Sequence, residues 1–231
     1  MNTVLVPPLL CSALVYDSVI DTVWSRGSVT VADTLHDATI PGMVARLLRD
    51  APEKFALLGT SMGGYVALEV ARQAPDRLLG LALVSTSADA DSQEMLASRR
   101  RQTQIVAEGG FSDLVDAAFP GIVAERNESD PELLRAWRGM AAEVGADCFL
   151  QQQEAVISRT DSNDLLETIP CPVFVIHGSD DRLIPNAQGV RMAAAIPHAT
   201  VRIIEQAGHF LFLERPDAAR TVVAEFLDSL D

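Results

Sequence analysis

Apolar residues along this chain gather in short unbroken runs separated by longer amphipathic stretches. The runs are Val4-Leu5-Val6, Val29-Thr30-Val31-Ala32, Phe55-Ala56-Leu57-Leu58, residues 79–84, Val173-Phe174-Val175-Ile176 and residues 200–204. Each is too short for a helix and mostly apolar at successive positions, as a strand covered on both faces requires. The stretches between them carry helical spacing. One helix is expected over residues 16–24. Another opens at Thr39 with Pro41 just inside it, and its Met43, Val44, Leu47 and Leu48 fall on one face. A third follows residue 64 and stops before Pro75, a fourth covers residues 186–195, and a last begins at Pro216 with Val222, Val223, Phe226, Leu227 and Leu230 facing inward. Strands alternating with helices predict an α/β fold: a mostly parallel sheet of about six strands with helices on both faces.

The alternation breaks between residues 87 and 170. No strand pattern occurs there, and the helical patterns are three. One spans residues 93–108. A second starts at the cap-and-proline pair Asp130-Pro131 and sets Leu133, Leu134, Trp137, Met140, Ala141 and Val144 on one face until Gly145; a third runs from 146 to about 159. An all-helical insertion between two strands is expected to lie as a cap over the strand ends where ligands bind. The expected organisation is therefore a core of residues 1–86 and 171–231, and a cap of residues 87–170.

Composition narrows the function. A formal charge of −14 argues against nucleic acid or an anionic membrane as partner and leaves a small organic substrate. Cys11, Cys148 and Cys171 are odd in number, widely spaced and outside any metal-ligand pattern, as expected of core thiols in a reducing, cytoplasmic setting. Neither an export signal nor a membrane span is expected, and nothing in the chain fixes the oligomeric state. No metal site, phosphate loop or cofactor motif is present.

The chemistry centres on Gly59-Thr60-Ser61-Met62-Gly63-Gly64, between the third apolar run and the helix behind it. Glycines at 59 and 63 allow a strand and a helix to close tightly around a strained serine, which lifts its hydroxyl clear of the sheet. The helix N-terminus adds unpaired N–H groups and partial positive charge, suited to an oxyanion. A serine hydroxyl still needs a base, and the base needs a third group to fix its tautomer. His209 directly follows the last strand. Asp181 follows the strand before it, with Asp180 beside it as an alternative acid. The order Ser61, Asp181, His209 puts each group just past a strand's C-terminal end.

With Gly59-Thr60-Ser61-Met62-Gly63, Gly178-x-x-Asp181-x-x-x-Pro185, and Gly208-His209 followed by Glu214 and Pro216, the chain resembles the α/β-hydrolase fold family over essentially its full length. Pro7-Pro8-Leu9-Leu10-Cys11 and Arg159-Thr160-Asp161-Ser162 are further similar to short bacterial carboxylesterase-like members. The resemblance implies an N-terminally truncated form of that fold with an inserted helical cap, a catalytic triad of Ser61, His209 and Asp181 in preference to Asp180, and no cofactor. The family's usual His-Gly after the first strand is replaced by Pro7-Pro8, and proline donates no backbone hydrogen bond. The oxyanion hole is therefore expected from the N–H groups of Met62 and Leu9, with Leu10 as the alternative to Leu9.

The expected function is a serine hydrolase of a small ester or thioester, with activity that falls as pH drops through the histidine range. Carbon–carbon bond hydrolysis, lactone opening and perhydrolysis use the same residues, and a non-catalytic binding member of the fold is the rival of another class. Other conspicuous side chains have blander expectations. His177 is expected to be structural, His36 and Asp33 to lie at the surface near the pocket mouth, and His198 to occupy a turn. Tyr65 is expected to pack its helix against the sheet. Arg99-Arg100-Arg101 is expected to be a solvated helix face, the functional alternative being a grip on a carboxylate, a coenzyme A phosphate or an acidic carrier protein.

Overall fold

A computed structural model describes residues 1–230. Its sheet has six strands: β1 Thr3–Val6, β2 Val29–Val31, β3 Phe55–Thr60, β4 Leu78–Val84, β5 Val173–Gly178 and β6 Thr200–Ile204. Their order is β2-β1-β3-β4-β5-β6, and every pairing is parallel. The sheet is thus wholly parallel where the sequence predicts a mostly parallel one. The chain moves from β1 to one side to form β2, then returns across β1 to form β3. That reversal opens a crevice beyond the C-terminal ends of β1 and β3, the place where open α/β sheets bind ligands.

Successive strand residues feed opposite cores. Val4, Leu57, Leu81 and Val175 pack with the helices α2 Ile40–Asp50, α3 Met62–Gln73 and α7 Asn186–Ala194 on one face. Leu5, Leu58, Ala82 and Ile176 pack with α1 Ile20–Trp24 and α9 Pro216–Asp228 on the other. This two-sided burial is why the strands read as unbroken apolar runs. Thr39 caps α2 by accepting the N–H of Gly42 at 3.1 Å, an interaction worth about 1 kcal/mol.

Between β4 and β5 lie α4 Gln93–Ala107, α5 Phe111–Ile122 and α6 Pro131–Ile157. Helix α5 has no counterpart in the sequence reading. Gly109 and Gly110 before it, with Pro120 and Gly121 inside its last turn, mask its pattern, and burial of Val115, Phe119 and Ile122 holds it. The sequence ends one helix at Gly145 and starts another at 146; the structure has a kink there, with Gly145 at φ 80°. The helix expected over 16–24 is also broken, into a 3-10 turn at Ala13–Tyr16 and the short α1. Tyr16, at the end of the 3-10 turn, is buried. Its hydroxyl donates to the Val6 carbonyl at 2.6 Å and meets Thr60 Oγ1 at 2.9 Å, drawing the segment into the core. A further short helix, α8 Leu211–Glu214, precedes α9. No described helix is long and apolar enough to cross a membrane.

Candidate active site

Ser61 joins β3 to α3 with φ 52° and ψ −114°, a backbone conformation that disfavours any side chain. Hydrogen bonds on both sides hold it there. Its N–H donates to the Val84 carbonyl at 2.8 Å, and its carbonyl accepts the Thr86 hydroxyl at 2.9 Å. The surrounding glycines are sterically required: a Cβ on Gly63 would stand 2.0 Å from the Val6 carbonyl oxygen, and one on Gly59 would stand 2.3 Å from the Gly63 oxygen. The first turn of α3 can approach β1 only without those atoms.

His209 and Asp181 meet beneath this turn. His209 Nδ1 lies 2.8 Å from Asp181 Oδ2, with both side chains almost wholly buried. Asp181 Oδ1 accepts the N–H groups of Leu183 at 3.0 Å and Ile184 at 2.9 Å. Burial pushes the Asp181 carboxyl up, but the adjacent His209 ring and the Ile184 N–H outweigh it and hold the carboxyl below its ordinary range. An ionised carboxylate only accepts, so Nδ1 must carry the proton, and a neutral ring then presents a bare Nε2. That Nε2 is buried and has no hydrogen-bond partner among the described residues. Ser61 and His209 line the same cavity of about 350 Å³, with no direct hydrogen bond between them. Asp180 is exposed and paired with the Ser179 hydroxyl at 2.7 Å instead.

The loops carrying these groups are tied to the helical insertion. Glu214 accepts the N–H of Gly208, next to His209, at 2.9 Å, and on its other oxygen the Ala124 N–H and the Asn127 amide, each at 2.8 Å. Arg182, next to Asp181, donates to the Val123 carbonyl at 3.0 Å and to Glu128 at 2.7 Å.

After β1, Pro8 to Cys11 form a turn closed by the Cys11 N–H on the Pro8 carbonyl at 3.2 Å, with Leu10 in left-handed conformation at φ 61°. The N–H of Leu10 donates to Gln152 Oε1 at 3.0 Å, and Gln152 Nε2 donates to the Thr34 carbonyl at 3.2 Å. The N–H groups of Leu9 and Met62 carry no hydrogen bond among the described residues, and both residues line the cavity. Gln152 is absent from the sequence reading. The signal was there: Phe149, Gln152, Gln153 and Val156 are buried at i, i+3, i+4 and i+7, placing two glutamines on an apolar stripe.

The arginine run departs from expectation. Arg100 and Arg101 are exposed, but Arg99 lines the cavity, so the triple arginine is not one solvated face. Tyr65 packs α3 in the core with Leu57, Leu81 and Leu83 as expected, and it also lines the cavity, with the Arg159 guanidinium 4.0 Å above its ring. His36 pairs with Asp33 at the surface, and His198 takes φ 61° before β6. Among the described residues no group of His, Cys, Asp and Glu gathers that could hold a metal.

His177 is fully buried, and its Nε2 meets the Thr86 carbonyl at 3.1 Å. Burial pushes its pKa from 6.5 down to about 4. The depressed value means that its contribution to stability is complete above pH 6.5 and is lost as pH falls towards 4. His177→Gln keeps a donor for Thr86 without the titrating ring. Urea midpoints at pH 7 and pH 4.5 are expected to fall less in this variant than in wild type, by the equivalent of about 2 kcal/mol. An equal fall would assign the acid sensitivity to other groups.

The comparisons with known proteins identify the fold family. The family model described as the alpha/beta hydrolase fold matches residues 25–216. The pimeloyl-[acyl-carrier protein] methyl ester esterase of Aliivibrio salmonicida is 28% identical over 217 residues, covering 85% of this chain and 77% of that protein. A thermophilic esterase from Thermogutta terrifontis superimposes with a TM-score of 0.90 at 27% identity, over 100% of this chain and 90% of its own. The enol-lactonase from Burkholderia xenovorans gives a TM-score of 0.85 at 25% identity, over 98% and 91%. The matched residues include the serine turn, the Asp181 loop and His209, and the chain belongs to the alpha/beta hydrolase fold family.

Proposed function

We propose that this chain hydrolyses small carboxylic esters or thioesters through an acyl-enzyme on Ser61. The observation that carries the reading is the buried Asp181–His209 pair, whose unpartnered Nε2 belongs to a ring lining the same cavity as the strained Ser61. Ser61 Oγ attacks the substrate carbonyl while His209 Nε2 takes its proton; the same nitrogen returns it to the departing alcohol or thiol. Water, deprotonated by His209, then releases the acid and restores Ser61. Asp181 holds the Nδ1–H tautomer throughout.

The N–H groups of Met62 and Leu9 are the donors for the tetrahedral oxyanion, a contribution of roughly 100- to 1000-fold per donor. Gln152 supports this assignment, because it occupies the Leu10 N–H and pins the turn so that Leu9 is the residue left free. The helical insertion acts as a cap that shapes substrate choice: Leu114, Trp137, Phe149 and Val156 supply much of the cavity's apolar wall. Relatives named as esterases and an enol-lactonase favour this reaction class, since a lactone is an internal ester.

Intact-mass spectrometry after incubation with an uncharged fluorophosphonate tests the reading. One adduct, mapped to Ser61 and absent from Ser61→Ala, is expected. No adduct on wild type would move the chain to a non-catalytic role.

A further inference from the structure

Away from Ser61, Tyr65 and His209, the polar side chains on the cavity wall gather where α4 meets α6: Ser98, Arg99, Gln102 and Gln153. Among the described residues, Arg99 is the one Arg, Lys, Asp or Glu side chain lining the cavity, in a chain of formal charge −14. It forms a cluster with Arg159 and the carboxylates of Asp91 and Asp161. Asp91, 1% exposed, lies between Arg99 Nε and Arg159 Nη2, the latter at 2.8 Å. The two guanidiniums share the Asp91 carboxylate and Asp161 also acts on Arg159, so the charge that reaches the cavity is that of Arg99. Burial alone would raise the Asp91 carboxyl; the two arginines keep it below its ordinary range, so the cluster holds that charge at neutral pH.

A chain of amides carries this polarity further. Arg99 Nη1 donates to Gln153 Oε1 at 3.1 Å, and Gln153 Nε2 donates to Gln102 Oε1 at 2.7 Å. A guanidinium can only donate, so Gln153 must turn its oxygen to it and its NH2 to Gln102. Gln102 must then answer with oxygen, which leaves its own NH2 free. Arg99 Nη2 and Gln102 Nε2 donate no hydrogen bond among the described residues, and both side chains line the cavity. Each of these free groups is a donor. Such a patch rejects cations, leaves a hydroxyl or ammonium donor unmatched, and satisfies an anion with charge-assisted bonds.

We propose that the substrate is an ester or thioester whose acid portion carries a second, ionised carboxyl group remote from the scissile carbonyl, held by Arg99 and Gln102 across the apolar cavity from Ser61. The inference rests on the reading of Ser61 as the nucleophile only for which carbonyl is cleaved. The anion grip itself can be measured without turnover.

The test is titration calorimetry on the Ser61→Ala variant. The probes are monomethyl esters of straight-chain diacids of about four to eight carbons, a span suited to a cavity of this volume, each compared with the methyl ester amide of equal length. At the best-fitting length the carboxylate is expected to bind about tenfold more tightly than the amide. Adding Arg99→Gln, or Gln102→Glu, which leaves the Arg99–Asp91 pair in place, is expected to shrink that ratio to about one. Because the ratio is taken within one variant, a general loss of folding or affinity cancels. Equal affinities at every length, or a ratio that neither substitution changes, would overturn the inference. Carboxylate preference in a wild-type protein that takes no fluorophosphonate and cleaves none of these esters would retain the anion site and discard the hydrolytic reading.

Discussion

Ser61→Ala is expected to lower ester turnover by roughly 10⁵- to 10⁶-fold, the scale on which a triad fails when its nucleophile is removed. A residual rate above the uncatalysed reaction is expected, because the free N–H groups of Leu9 and Met62 remain in place. Turnover of a chromogenic ester before and after fluorophosphonate treatment measures both quantities. A loss under tenfold would exclude Ser61 as the attacking group. The same position carries a conformational cost. At φ 52° and ψ −114° any residue with a Cβ is strained by about 1–3 kcal/mol, which alanine keeps and glycine relieves. Glycine gives back part of that gain through its freer unfolded chain. Ser61→Gly is therefore expected to be inactive yet more stable than Ser61→Ala by about 1 kcal/mol in urea unfolding.

Asp181→Asn should cost about 10⁴-fold in kcat with little change in KM, for a reason visible in the hydrogen bonds. Oδ1 accepts two backbone N–H groups, from Leu183 and Ile184, so the amide oxygen of an asparagine must take that side. Its NH2 then faces His209 Nδ1, where the carboxylate now accepts at 2.8 Å. Two donors cannot share that contact. The ring must present a bare Nδ1 and carry its proton on Nε2, where a base for Ser61 needs a lone pair. Steady-state kinetics beside the nitrogen shifts of labelled His209 would show tautomer and rate changing together. Near-normal kcat with an inverted tautomer would assign the proton transfer to another group.

Much of this was legible before any coordinates. The strand runs could be read because both sheet faces are covered, which makes the central strands apolar at nearly every position; Leu57 and Leu58 serve opposite cores and look alike in sequence. The serine turn was legible because its glycines answer a local demand, the approach of α3 to β1. Asp181 and His209 were placed by their positions after β5 and β6. Helix α5 was hidden because its burial, and not its propensity, holds it. Gln152 and Gln153 showed only as polar residues on an apolar stripe and Arg99 only as one of three arginines; their contacts with Leu10, Gln102 and the cavity join segments whose proximity no periodicity encodes.

Local chemistry written in the chain therefore determined the α/β class, the strand sequence and the strained serine between two close-packed glycines. Tertiary structure decided what depends on distant segments meeting. It buried Asp181 against His209 and left Asp180 in water. It left the N–H of Leu9 free by giving that of Leu10 to Gln152, and it turned one arginine of three into the cavity. Sequence spacing carries a residue's own backbone preferences, whereas hydrogen-bond partners and charge neighbours are set by the packing of the whole chain.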